Sequence, residues 1–363
     1  MHDRGYVSRG ERLPLAVEAL DPDSLGRLLQ LEYPGVVINE MKLIRLIPGH
    51  TTKARLELRL NQAGVDAGLP SQVCLKANLT GDPLSSEVCV NEARFYRTLR
   101  NRLELPAPRC YFADWDDDSM GRQGVVVLED LVPLGGNFGT SAQPIGIDDA
   151  ARSVSGLAAL HGKTWNDPEL RRHSWLQTAM APQTSTDDYW ALMPQYAATF
   201  NSLPERLAVL PGWIAGNPQR LRTAFLQLCA EETSNPGPLC LVHGDAHLGN
   251  SYRRPSGERI WFDWQIVRKG RPMRDYTYFV VGSLPIEERR RAERDLLKHY
   301  CEALASHGIH LEYDGAWKDY RRWIIWGIIA WQLNINPNEA TMPPLERFCR
   351  AADDLEVQKL FRV

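Results

Sequence analysis

The sequence has no paired cysteines, no long apolar run and no excess of positive charge, and each absence excludes something. Its seven cysteines, Cys74, Cys89, Cys110, Cys229, Cys240, Cys301 and Cys349, are scattered and never form a C-x-x-C pair. That excludes a disulfide framework or a zinc knuckle and reads as reduced thiols in the cytoplasm. The longest apolar run, Trp323 to Leu333, spans eleven residues and includes Gln332. A membrane span needs about 18 or more, so this run reads as a core helix. The N-terminus carries His2, Asp3, Arg4, Arg9, Glu11 and Arg12 with no apolar stretch for a secretory signal. With 42 basic and 45 acidic residues the net charge is −3, which argues against a nucleic-acid partner. No internal repeat is present. Lysine is scarce: 34 of the 42 basic residues are arginine and eight are lysine, with only Lys42, Lys53 and Lys76 before residue 160.

What is present is a chain of 363 residues, 44% apolar, long enough for two lobes with real cores at about 150 residues per domain. The first third reads as strands. Lys42 to Ile47 and Ala54 to Leu60 alternate with period two, joined through Pro48-Gly49-His50-Thr51-Thr52. Val73-Cys74-Leu75-Lys76-Ala77 is a third short run, and a helix pattern covers Ser86 to Arg100. Cys110 to Phe112 and Val125 to Leu128 flank an acidic turn as two further antiparallel strands. The Pro/Gly-rich segment from Glu129 to Gly136 then suits a link between lobes. Beyond it, Asp148–Trp165, Asp187–Phe200, Arg220–Glu232, Ile286–His307 and Ala316–Leu333 read as helices. The expected architecture is α+β: an N-terminal lobe over 1–133 with a small antiparallel sheet and one helix, then a larger, mostly α lobe over 134–363.

The helical region is interrupted at residues 239 to 265. The run Leu239-Cys240-Leu241-Val242 leads into His243-Gly244-Asp245-Ala246-His247-Leu248-Gly249-Asn250, and the chain returns through Pro255-Ser256-Gly257-Glu258 to Trp261-Phe262-Asp263. A hairpin symmetric about the Ser256-Gly257 bond places Asn250 opposite Asp263, with Asp245 in the loop feeding that end. Asn250 and Asp263 suit a hard cation such as Mg²⁺, which takes oxygen ligands and shares its shell with substrate phosphates. Asp245 is left to accept a proton from an attacking hydroxyl, and it precedes Asn250 by five positions, the kinase interval. A turn-and-cap reading of the three remains open, as does a metallohydrolase built on His243, Asp245 and His247. His243 reads as ordering the loop by hydrogen bonding, with direct proton transfer the lesser possibility.

Phosphoryl transfer also needs a cation on the phosphates. Lys76 ends an apolar strand much as the V-A-I-K lysine of kinases does. On the following helix Glu92 falls on the stripe Val88, Glu92, Phe95, Tyr96, Leu99 that faces the sheet. A buried acid there is costly alone and sensible opposite Lys76. The hairpin tip around Gly49 would cover the phosphates, and the backbone of Glu129, Asp130 and Leu131 would edge the purine. Asp275 reads chiefly as a helix N-cap, with bracing of the catalytic loop as the second reading, His161 as packing, and Arg289–Arg291 and Arg321-Arg322 as solvated helix faces. Trp190, Trp323, Trp326 and Trp331 are core by default and could wall an acceptor pocket.

The set Val73–Lys76, Asn91–Tyr96, Leu128–Leu131, Leu157–His161 with Trp165, His243–Asn250, Phe262–Gln265 and Arg274–Tyr276 resembles the aminoglycoside phosphotransferase and choline kinase-like superfamily. Within it the chain looks most like the ecdysteroid-kinase-like branch. The resemblance implies a bilobal protein-kinase-like fold that moves the ATP γ-phosphate to a small-molecule hydroxyl. It implies Asp245 as base, Asn250 and Asp263 as Mg²⁺ ligands, Lys76 on phosphates with Glu92 as its partner, and phosphate contacts from Gly49 and Thr51 or Thr52. The loop departs from the pattern in holding a single glycine, Gly49. That keeps open a nucleotide-binding pseudokinase or ligand-binding module without transfer activity. With no dense acidic run among the helices, the acceptor reads as a neutral, partly apolar alcohol.

Overall fold

The computed structural model describes residues 9, 13–49, 51–80, 83–116, 122–178, 203–235, 237–333 and 337–363. His50, Trp190 and the helix expected over Asp187–Phe200 lie outside the described residues. The fold is α+β and divides into two compact units, Met1–Gly136 with Ile260–Val267, and Asn137–Arg259 with Arg268–Val363. The return of eight residues, 260–267, to the first unit is a feature that no local pattern announces.

The first unit is built on a five-stranded antiparallel sheet. Its strands are β1 (Ile38–Ile47), β2 (Thr52–Leu60), β3 (Gln72–Ala77), β4 (Cys110–Asp116) and β5 (Gln123–Glu129), in the order β1-β2-β3-β5-β4. Period-two alternation gives the sheet two faces. Leu56, Leu58, Val73, Leu75, Val125 and Val127 point to one, where α1 (Pro22–Gln30) lays Leu25, Leu28 and Leu29 against them. This helix begins in a capping box, with Asp21 and Ser24 exchanging backbone and side-chain hydrogen bonds. A short helix, α2 (Gln62–Asp66), lies between β2 and β3. The opposite face carries Lys53, Arg55, Cys74 and Lys76, for Lys53 stands directly across the ladder from Lys76 and Arg55 from Cys74. The helix α3 (Pro83–Phe95), continued by a π-helical turn over Tyr96–Arg100, brings Glu92 to Lys76. Its close approach depends on Gly124 of β5, where a Cβ would lie 2.2 Å from the Cys89 carbonyl.

The second unit opens on the short strand β6 (Asn137–Phe138) and is mostly helical: α4 (Ile147–Lys163), α5 (Gln219–Ser234), α6 (Met273–Ser283), α7 (Ile286–Ala305), α8 (Tyr313–Gln332) and α9 (Met342–Asp354), with shorter turns between them. Among the described residues no helix is long and apolar enough to cross a membrane. Between α5 and α6 the chain forms β7 (Cys240–Val242), a 3-10 turn over Leu248–Asn250, β8 (Ser251–Arg253), β9 (Arg259–Trp261) and β10 (Arg268–Gly270). Pairing of β10 with β7, Arg268 opposite Val242, closes the long excursion that carries the motif residues. Two expectations are corrected here. The turn after β8 closes with the Arg254 N–H donating to the Glu258 carbonyl at 2.8 Å, so it centres on Ser256 rather than on the Ser256-Gly257 bond. Asn250 therefore ends a 3-10 turn and is not a ribbon residue. The arginine runs are not simply solvated either. Arg289 is buried against Glu293 and Asp354, and Arg322 is buried with Glu231 and over the Phe361 ring, because each meets carboxylates that desolvation alone would make it need.

Candidate functional site

In the first unit, Lys76 and Lys53 on the α3 face of the sheet share one cluster with Glu92 and Asp263. The Lys76 ammonium is 3% exposed and lies 2.6 Å from Glu92 Oε2 and 2.8 Å from Asp263 Oδ1. Burial alone would lower the pKa of Lys76, but the two carboxylates outweigh it and hold the ammonium above its usual range. The cluster contains a group that the sequence reading passed over: Lys53 Nζ sits 3.3 Å from Asp263 Oδ2. Burial would raise the carboxyl of Asp263, and Lys76 and Lys53 together hold it well below the usual carboxylate range. Only the pairing of β2 with β3 brings Lys53 beside Lys76, so its role depends on register and not on any local motif.

Asp263 has left-handed backbone angles, φ 68° and ψ 55°, which an L residue adopts at a cost of order 1–3 kcal/mol. The residues around it supply the restraint. Trp264 stacks on Phe95 at 4.2 Å, its backbone N–H donates to Glu92 Oε1 at 3.0 Å, and its indole N–H donates to the Trp261 carbonyl at 2.8 Å. Asn91 adds a hydrogen bond from its amide to the Gln265 carbonyl at 2.6 Å. Glu92 thus neutralises Lys76 with one oxygen and fixes the backbone beside Asp263 with the other.

Several groups expected to line the nucleotide have partners within the first unit. Thr51 and Thr52 are buried, and Thr51 Oγ1 accepts from Gln265 Nε2 at 2.9 Å, so the hydroxyl expected on phosphates is turned into the unit. Gly49 lies at the tip without a positive φ. At the far end of β5, the Asp130 carboxylate accepts from Arg55 Nε at 2.9 and 3.1 Å, has Arg55 Nη2 2.9 Å from Oδ2, and accepts the Val132 N–H at 3.1 Å. Asp130 is therefore a turn-and-ion-pair residue, and Leu131 is buried with its carbonyl accepting from Leu134. The Glu129 N–H is spent on the Arg109 carbonyl at 2.8 Å.

In the second unit, the loop after β7 is held from below by Asp275. Its carboxylate accepts the His243 N–H at 2.6 Å and the Gly244 N–H at 2.9 Å, with Gly244 at φ 86°. Two adjacent amides can converge on one carboxylate here because glycine takes the left-handed turn without a Cβ penalty. Asp275 is the third residue of α6 and caps no amide of its own helix, so the helix-cap reading gives way to a loop brace. Burial would raise its pKa, and hydrogen bonding and charge from His161, with the loop amides, hold it lower. His161 Nε2 lies 3.4 Å from Asp275 and its Nδ1 lies 2.7 Å from the Tyr300 hydroxyl, so His161 is one link in a buried polar chain as well as a packing residue.

Within the loop, His243 is buried and its Nδ1 accepts the Asp245 N–H at 3.2 Å. That position suits a loop-ordering residue and not a proton carrier. His247 uses Nδ1 in the same way, accepting the Gly249 N–H at 3.0 Å. Its ring meets Trp331 edge-on at 5.2 Å, and Trp326 lies 4.4 Å under the Arg274 guanidinium. Asn250 donates from Nδ2 to the Asp245 carbonyl at 3.1 Å and to Asp245 Oδ2 at 2.8 Å, which turns the Asp245 carboxylate and leaves the Asn250 Oδ1 unbonded among the described residues. The Asp245 side chain is 32% exposed, accessible where its neighbours are not. Among the described residues no group of three or more His, Cys, Asp or Glu could hold a metal. Both imidazoles spend an Nδ1 lone pair on loop amides, which speaks against the metallohydrolase reading. The Asp263 carboxylate in the first unit and, separately, the Oδ1 of Asn250 in the second are oxygen donors of the kind that a hard divalent cation takes.

The family model described as the ecdysteroid kinase-like family matches residues 86–313. No curated protein matches the sequence. Among solved structures, the GDP complex of a point variant of aminoglycoside 2'-phosphotransferase-IIIa is similar with a TM-score of 0.50 at 11% identity, covering 93% of this chain and 97% of the other. LicA in complex with AMP is similar with a TM-score of 0.50 at 14% identity, over 93% of this chain and 98% of the other. The apoenzyme of macrolide 2'-phosphotransferase MphH from Brachybacterium faecium follows with a TM-score of 0.48 at 17% identity, over 86% and 91%. The first two show that the fold is that of the protein-kinase-like phosphotransferases.

Proposed function

This chain belongs to the ecdysteroid kinase-like family, and from that premise we propose that it transfers the γ-phosphate of ATP to the hydroxyl of a small molecule. The observation that carries the reading is the Lys76–Glu92–Asp263 cluster. Burying three charges, one of them on a strained backbone, adds little to stability compared with apolar packing. It makes sense where an ammonium must be kept charged and fixed to meet phosphate oxygens.

In this reading Asp245 accepts the proton of the attacking hydroxyl, and Asn250 orients it by the hydrogen bond to Oδ2. Asp275 and His243 position the loop and do not touch the reacting atoms. Lys76 neutralises charge on the phosphates, held to its place by Glu92. Asp263 and the Oδ1 of Asn250 would hold Mg²⁺, which when bound supplies further neutralisation of the phosphate charge. Trp326 and Trp331, close to Arg274 and His247, support a partly apolar, uncharged alcohol as acceptor.

The test is a mass-spectrometric screen of hydroxyl compounds with Mg·ATP, scored for the phosphate increment. With an acceptor in hand, Asp245→Asn is expected to lower transfer by about 10²–10⁴-fold while calorimetry finds nucleotide affinity nearly unchanged. A variant that transfers at the wild-type rate overturns the role of Asp245. Nucleotide binding by the wild type with neither transfer nor slow ATP hydrolysis favours a binding module instead.

A further inference from the structure

Two lysines directly opposite each other on paired strands repel, and such pairs destabilise a ladder. This chain has eight lysines, and two of them, Lys53 and Lys76, stand in that arrangement. Asp263 resolves the conflict by giving one oxygen to each. The two contacts are unequal. Lys76 is 3% exposed and bound by two carboxylates at 2.6 and 2.8 Å, whereas Lys53 is 27% exposed and, among the described residues, reaches Asp263 alone, at 3.3 Å.

We propose that Lys53 is a second phosphate-binding residue, resting on Asp263 in the free protein and passing to the nucleotide's phosphates when a divalent cation takes that carboxylate. The inference rests on the proposed role of Asp263 in metal binding. A cation arriving at Asp263 competes with the weaker of its two ammonium contacts, and that is Lys53. The displaced ammonium, on a flexible four-carbon stem, then lies beside the anion that came with the metal. The exchange conserves charge: two ammoniums and two carboxylates balance in the free cluster, and the phosphates bring the anion that replaces Asp263 as the partner of Lys53. It also accounts for a loop with a single glycine and buried threonine side chains, in which few groups are left to cradle phosphates. Lys53, the second residue of β2 directly after that loop, supplies charge where other loops supply backbone amides.

The experiment compares wild type, Lys53→Met, Lys53→Arg, Asp263→Asn and, as a control, Lys42→Met on the exposed side of β1. Mn²⁺ binding to the nucleotide-free protein is followed by electron paramagnetic resonance, and Mg·ATP and adenosine binding by calorimetry. Lys53→Met is expected to bind Mn²⁺ more tightly, having lost a competitor, and Mg·ATP more weakly by about tenfold, with adenosine affinity unchanged. Lys53→Arg should retain most Mg·ATP affinity, and Lys42→Met should resemble the wild type throughout. Opposite shifts for the two ligands cannot come from a merely damaged cluster. Unchanged Mg·ATP affinity in Lys53→Met, or Mn²⁺ and Mg·ATP affinities falling together, overturns the proposal for Lys53. Wild-type protein that binds no Mg·ATP, or Asp263→Asn binding it as the wild type does, overturns the reading of Asp263 and the inference with it.

Discussion

Asp275 shows how much one buried carboxylate can hold in place. It accepts two successive backbone N–H groups of the motif loop and faces His161, which in turn reaches Tyr300. An asparagine at this position keeps the shape but loses the charge and turns an N–H group toward donors. Asp275→Asn is therefore expected to cost about 2–3 kcal/mol, seen as a lowered denaturation midpoint, and to lower transfer through a displaced Asp245. A midpoint equal to the wild type's would remove Asp275 from this role. Lys76 and Glu92 were legible from sequence because each sits on a periodic element whose inward face can be counted. Lys53 was not, because it is defined by a partner remote in sequence, and the loop-bracing role of Asp275 stood only second to a helix cap, since the amides it holds are also remote in sequence.

Elements were legible in proportion to the contrast between their faces. The strands of the sheet alternate, and α4, α7 and α8 carry periodic stripes, so their spans agree with expectation to within a few residues. By contrast, α6 was foreseen only at its start, through Asp275, and not along its length, because all eleven of its residues are buried and no polar face marks its period. The packing of α3 on β5 turns on Gly124. The overlap a Cβ would make is with the backbone of Cys89, which no rotamer change relieves. Gly124→Ala is expected to destabilise the protein by about 1–3 kcal/mol in denaturant unfolding. It should also weaken nucleotide binding, since α3 carries Glu92. Wild-type stability in this variant would mean that α3 packs less closely than described.

Over the whole molecule, the near balance of charge conceals ion pairs bound inside it. Glu232 is one: burial pushes its carboxyl from an ordinary 4.5 up to about 7, Arg271 opposes that from 3.1 Å, and Asp319, which shares Arg271, adds to it. The folded state therefore binds a proton more tightly than the unfolded chain. Its contribution is fully present below pH 4.5 and is lost as pH rises through about 7. Glu232→Gln is expected to flatten this part of the profile, raising the unfolding midpoint relative to wild type at pH 8 and not at pH 4. Parallel profiles for the two proteins would show that Glu232 titrates normally.

Composition and periodicity alone determined a β-rich segment followed by a helical one, the absence of a membrane-length apolar run, and a motif loop holding Asp245 and Asn250 five residues apart. Those properties are local, set by backbone alternation, helical repeat and the chemistry of neighbouring side chains. Only the tertiary structure decided that residues 260–267 return to the first unit, that Thr51 is buried and that Lys53 shares Asp263 with Lys76. These depend on strand register and on which distant groups neutralise a buried charge. A buried charge draws its partners from anywhere in the chain, so sequence proximity carries no trace of the choice.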